Sequence, residues 1–165
     1  MTDLTFSPAR QLALWGALYR TVEQFLDLGE ARLRPVAAKV SGWSALEHLA
    51  HLALANELVT RNLQNLARGS GLFVQSGRSA DPTVIQTLTA GRLPRGAKAP
   101  RMVGPPAGVE LEFVRGWHAD NARALEALAR NPSALEPSDL IIPHQILGPL
   151  DAPGWLRFGV VHTRH

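Results

Sequence analysis

Cysteine is absent from the 165 residues. The chain therefore has no disulfide, no thiolate zinc site and no cysteine nucleophile, and any metal must be held by histidine, carboxylate or water. Lysine is nearly absent as well, occurring only at Lys39 and Lys98. The basic charge is almost all arginine, scattered from Arg10 to Arg164, and the formal net charge is only +3. Nucleic-acid binders concentrate their cations in a stripe, so this spread speaks against a nucleic-acid partner. No apolar run approaches the roughly 18 residues of a membrane span. The start, Met1-Thr2-Asp3-Leu4-Thr5, lacks the basic and apolar regions of a signal peptide. The expectation is a soluble cytoplasmic protein with no membrane partner.

Hydrophobic residues make up 45% and charged residues 19%, an ordinary globular balance for a single domain. Four segments carry helical periodicity. The first covers 7–28: Ser7-Pro8 is a helix start, and Leu12, Trp15, Tyr19, Val22 and Leu26 recur at alternating threes and fours, with Gly29 as the stop. The second covers 45–68. Ser44 and Glu47 form a capping-box pattern, Leu49, Leu52, Asn56, Val59, Leu63 and Leu66 form the stripe, and Gly69 closes it. Residues 70–106 form a long connection with a short helix starting at Asp81-Pro82. The third helix covers 107–130, with the stripe Leu111, Val114, His118, Asn121, Leu125 and Leu128. The fourth starts near Asp151 with Pro153 in its first turn, and Trp155, Phe158, His162 and His165 continue the alternation.

Few segments read as strands; 140–142 is the best and is short. The pattern predicts an all-α fold, a four-helix bundle with a long crossover between the second and third helices. A connection of that length lets the helices it joins be non-adjacent or run parallel. The chain reads as one domain over residues 1–165 that stops within its last helix.

Chemistry concentrates in the six histidines: His48, His51, His118, His144, His162 and His165. His48 and His51 lie early in the second helix, His162 and His165 in the fourth. Histidines three apart share a helix face, and bundles build metal sites from such residues on facing helices. Neutral imidazole suits zinc, nickel, copper and iron. Against this stands the commoner role of a histidine on an apolar face, a hydrogen-bonded core residue. His118, beside Asn121 on a core stripe, fits that role, and His144 in a proline-rich loop reads as exposed. The order Glu47-His48-x-x-His51 is not the H-E-x-x-H of zinc proteases. Nucleophile elbows, dinucleotide fingerprints and P-loops are absent.

The stretch W-S-A-L-E-H-L-A-H-L at 43–52 resembles the second-helix signature of the DinB/YfiT-like metalloenzyme superfamily. There a tryptophan-serine pair, here Trp43-Ser44, precedes a metal-binding histidine, here His51. Residues 144–165 are similar to the family's C-terminal part: Gly148-Pro149-Leu150 leads into a helix with Trp155-Leu156 and then an H-x-x-x-H pair. His162 matches the first histidine of that pair. The second falls at the position after His165, and His165 matches a histidine that often stands just before it.

The resemblance implies a helical bundle with a divalent metal, zinc or nickel first, held by His51, His162 and a third donor, either His165 or the position that follows it. It further implies a small-molecule substrate, a homodimer, and chemistry of the bacillithiol-type thiol S-transferases or of hydrolases, with a low-molecular-weight thiol as a second cofactor. Asn56 and His118 become candidates for cofactor or substrate contacts, against the simpler role of buried, hydrogen-bonded residues that order the core. The competing expectation is a non-catalytic stress-response or binding module that keeps the bundle without a tight metal.

Overall fold

A computed structural model describes residues 7–79, 82–91, 93 and 98–165. The expectations for the first five residues and for Asp81 lie outside this set. The chain is mostly helical, with a small three-stranded sheet. The helices are α1 (Pro8–Leu26), α2 (Glu30–Leu33), α3 (Ala45–Arg68), α4 (Pro82–Thr89), α5 (Leu111–Ala129) and α6 (Ala152–Arg164). The strands are β1 (Gln75–Ser76), β2 (Leu140–His144) and β3 (Gly148–Leu150). Short 3-10 turns occupy Arg101–Val103 and Pro132–Leu135. Among the described residues no helix is long and apolar enough to cross a membrane.

Local chemistry sets the helix ends. At α3 the Ser44 hydroxyl accepts the Glu47 N–H at 3.2 Å, and the Glu47 carboxylate accepts the Ser44 N–H at 2.8 Å, a reciprocal cap. Gly69 ends α3 at φ +64°, a left-handed turn that glycine adopts without strain. At α6 the Asp151 carboxylate accepts the Gly154 N–H at 2.9 Å. Three expected ends differ. Ser7 precedes α1 but its side chain makes no capping bond, so Pro8 in the first turn is what favours the start. Gly29 does not close α1, which ends at Leu26; at φ +80° it opens the short α2. α5 starts at Leu111 because the Pro106 carbonyl accepts the Val109 N–H across Gly108, a turn that delays the helix.

The packing follows the apolar stripes. α1 packs on α5 and α6, and α3 packs on the same two helices. Trp15, Leu63, Leu135, Leu150, Leu156 and Val160 fill one part of the core, and Val22, Leu26, Leu46, Ala50 and Val114 fill the other. α1 and α6 run the same way, since Gln11 meets Arg157 and Trp15 meets Thr163. α1 and α5 run oppositely, since Tyr19 meets His118 and Asp27 meets Arg115. α3 and α5 also run alike, with Ala50 and Val114 in one cluster and Gln64 and Ala124 lining one groove farther along. The long connection before α5 carries the chain back to make that possible.

β2 is the strand expected at 140–142, lengthened by two residues. Its partners carry no pattern of their own. β1 pairs antiparallel with it at Gln75↔Ile141, and β3 at Ile142↔Leu150 and His144↔Gly148. Strands of two and three residues are too short for alternation to register. The sheet lies beside the start of α6, where the Ile142 carbonyl accepts the Trp155 indole N–H at 3.0 Å.

Candidate metal centre

The capped start of α3 places His48 and His51 one turn apart, with the Trp43 ring against both at 5.3 and 5.4 Å. His48 is exposed, whereas His51 is half-buried. Its ring faces that of His162 on α6, centroids 5.2 Å apart and planes at 71°. The second and fourth long-helix segments foreseen from sequence thus bring these two imidazoles to one interior place.

Each ring has a distinct hydrogen-bonding state. The His51 Nδ1–H donates to the Val103 carbonyl at 2.8 Å. A carbonyl only accepts, so the proton sits on Nδ1 and Nε2 keeps its lone pair in the neutral ring. Metal-bound histidines show this same tether to a backbone carbonyl. His162 Nδ1 is sealed from solvent and has no hydrogen-bond partner among the described residues. Burial holds its pKa down to about 4, helped by repulsion from His51, His165 and His144. His162 is therefore neutral at physiological pH, the form that ligates a metal. Phe158 packs against the His162 ring at 5.3 Å and restricts its rotation.

His165 makes no ring contact with the pair. It is exposed and caps the C-terminal end of α6, its N–H bonded to the Val161 carbonyl at 3.0 Å. Among the described residues no group of three histidines, cysteines or carboxylates is arranged to hold a metal. The donor set thus fits two positions of a zinc or nickel ion: one oriented lone pair and one buried nitrogen without a partner.

Asn56 and His118 have separate surroundings. Asn56 is buried, and its side-chain oxygen lies 3.2 Å from the Thr163 hydroxyl, one residue beyond His162. The same hydroxyl accepts the Trp15 indole N–H at 2.8 Å and lies 2.7 Å from the Gly159 carbonyl. His118 belongs to the α1–α5 seam. Its ring is 4.9 Å from Tyr19, and its buried Nε2 is 3.7 Å from a Glu23 carboxylate oxygen. Burial lowers the His118 pKa, with Glu23 and the Tyr19 backbone opposing it. Asn121 donates to the Ala53 carbonyl at 2.7 Å and ties α5 to α3.

His144 was expected to be exposed; it is half-buried. The fold of β2 onto β3 presses its ring between Trp155, at 5.3 Å, and Phe158, at 4.5 Å. Burial lowers its pKa to about 4. Its place near His162 had one sequence signal, the Gly-Pro-Leu turn that follows it. The Val103 carbonyl had none, being a backbone atom 52 residues from His51.

Residues 5–165 match the DinB superfamily. The chain belongs to the DinB superfamily. No match was found among curated proteins or among solved structures. For this DinB superfamily protein the match covers both the α3 segment that carries His51 and the α6 segment that carries His162.

Proposed function

We propose that this DinB superfamily protein is a divalent-metal-dependent enzyme in which His51 and His162 are protein ligands of zinc or nickel. The single observation that carries the reading is the His51–His162 pair itself. Two imidazoles from facing helices meet with centroids 5.2 Å apart, one tethered through Nδ1 and the other holding a buried, unpartnered nitrogen. His165, one turn beyond His162, is the proposed third donor. A bound ion of this kind supplies Lewis acidity, acidifying a thiol or water that shares its coordination near neutral pH.

The remaining roles fall to the residues around the pair. The Val103 carbonyl orients His51, and Phe158 orients His162. The Trp43 indole covers His51. Asn56 holds Thr163, and so the last turn of α6, against α3. The reaction class in this reading is thiol-dependent S-transfer, with a low-molecular-weight thiol of the bacillithiol kind, or hydrolysis, each on a small-molecule substrate. A four-helix bundle of α1, α3, α5 and α6, with the crossover before α5, is the scaffold in the same reading. A cytoplasmic homodimer completes it, with the exposed Phe25, Leu28 and Phe113 available to an interface.

A second reading has its own support. The absence of a three-donor group among the described residues favours a binding module without tight metal. Isothermal titration with zinc and with nickel separates the two. The enzymatic reading expects roughly one ion per chain, with binding lost in His51→Ala and in His162→Ala. No saturable binding of either ion by the folded wild-type chain would overturn it.

A further inference from the structure

His144 is a half-buried imidazole near His162 with no part in the proposed metal site. The turn between β2 and β3 folds back onto its ring. The backbone N–H groups of Ile146 and Leu147 both reach Nδ1, each at 3.1 Å. Two donors aimed at one nitrogen require a lone pair there, so the neutral ring carries its proton on Nε2. The turn that supplies the donors is built in, because Gly148, the register partner of His144, sits at φ +76°.

This state removes His144 from the ligand set. Ligation through Nε2 needs the proton on Nδ1 facing an acceptor, the arrangement His51 has with Val103. His144 has the reverse. Ligation through Nδ1 would break both bonds that close the turn.

The Nε2–H remains without a use. No described residue accepts it, yet it is not among the sealed, unpartnered atoms, which are the Tyr19 hydroxyl, His118 Nε2 and His162 Nδ1. It therefore opens on space that solvent can reach. A recess of about 580 Å³ is lined by Pro100, Arg101, Met102 and Gln145. Met102 precedes Val103 in the chain, whose carbonyl holds His51, and Gln145 follows His144, whose ring touches Phe158, the neighbour of His162.

We infer that His144 is a fixed hydrogen-bond donor at the edge of this site, its Nε2–H binding a carbonyl or carboxylate oxygen of a ligand. The inference rests on the reading of His51 and His162 as the site. Because Nδ1 is committed to the turn, the donor keeps its direction and fixes the ligand's oxygen against the His144 ring.

Long-range ¹H–¹⁵N spectra of the full chain at neutral pH read the tautomer directly, with acetate as the carboxylate probe. The expected result is an Nε2-protonated His144 whose signals shift saturably with acetate. Acetate should bind about tenfold more weakly to His144→Phe, the value of one hydrogen bond to an anion. His144→Gln, which keeps an N–H donor, should recover part of that loss. An Nδ1-protonated His144, or one whose signals ignore acetate, overturns the inference, and neither result depends on how the variants fold. Zinc separates this from the proposed function. Failure of zinc to move the His51 and His162 signals sinks the metal reading alone, whereas zinc displacing the His144 Nε2 proton sinks the donor assignment.

Discussion

Replacing Gly159 by alanine tests the packing that sets the site. A methyl group at Gly159 would stand 2.5 Å from Cη2 and 2.6 Å from Cζ2 of Trp15, far inside contact distance. Trp15 cannot easily yield: its side chain is 0% exposed and its indole N–H is bonded to Thr163 at 2.8 Å. Two effects oppose each other. Alanine is favoured over glycine in a helix interior by about 1 kcal/mol. Forcing a methyl into a closed core costs about 1–3 kcal/mol, and the rigid indole puts this site at the upper end. The net is a loss of about 1–2 kcal/mol, which for a chain of this size lowers Tm by roughly 2–8 °C. Gly16 in α1 and Gly116 in α5 are internal controls. An added methyl meets nothing within 4 Å at either, so Gly16→Ala and Gly116→Ala should raise stability by roughly 0.5–1 kcal/mol. Thermal and urea melts of the three variants give the signs. A Gly159→Ala protein as stable as the wild type would refute the close α1–α6 seam and the argument built on it.

Two further outcomes are expected. Thr163→Val keeps the side chain's shape but removes the acceptor of the buried Trp15 N–H and the partner of Asn56. Stranding these groups should cost about 1–3 kcal/mol in urea unfolding, and an unchanged midpoint would rule out the proposed tie. The buried histidines set the acid limit. Burial lowers the pKa of His118 and takes that of His144 from 6.5 to about 4. Between these values the unfolded chain binds more protons than the folded one, so stability should be full above pH 6.5 and decline as the pH falls. Urea midpoints between pH 7.5 and 5, above the carboxylate range, isolate this effect, and a flat or rising profile toward acid would contradict it.

The four long helices were legible because each carries apolar residues that repeat every three to four positions, although in α6 the buried face is Trp155, Leu156, Gly159 and Val160, one position off the expected Trp155, Phe158, His162 and His165 stripe. Leu12, Trp15, Tyr19, Val22 and Leu26 are all buried as their spacing predicts. In α3 the inward face near the start is Leu46, Ala50 and Ala53, with Leu49 and Leu52 only partly buried. Two neighbours, α5 and α6, press on that helix, so its buried face is broader than one stripe. β1 and β3 left no trace, since each is stabilised by a partner strand distant in the chain or by a tight turn. In the site, His51 and His162 could be named from their motifs. The exposure of His165 and the enclosure of His144 could not, because both depend on what packs above each ring.

The order of residues alone determined where α1, α3 and α6 begin, which faces are apolar and that no thiol can take part, since caps, periodicity and composition act within a few neighbours of each residue. Only the tertiary structure decided that α3 and α5 run alike, that His51 meets His162, and which nitrogen of each ring holds a proton. The helix directions, the His51–His162 meeting and the His51 tautomer rest on contacts between segments far apart in the chain, and the His144 tautomer rests on how the turn after it closes. A carbonyl at Val103 or an N–H at Ile146 is the same atom in any sequence, and only folding places it opposite an imidazole.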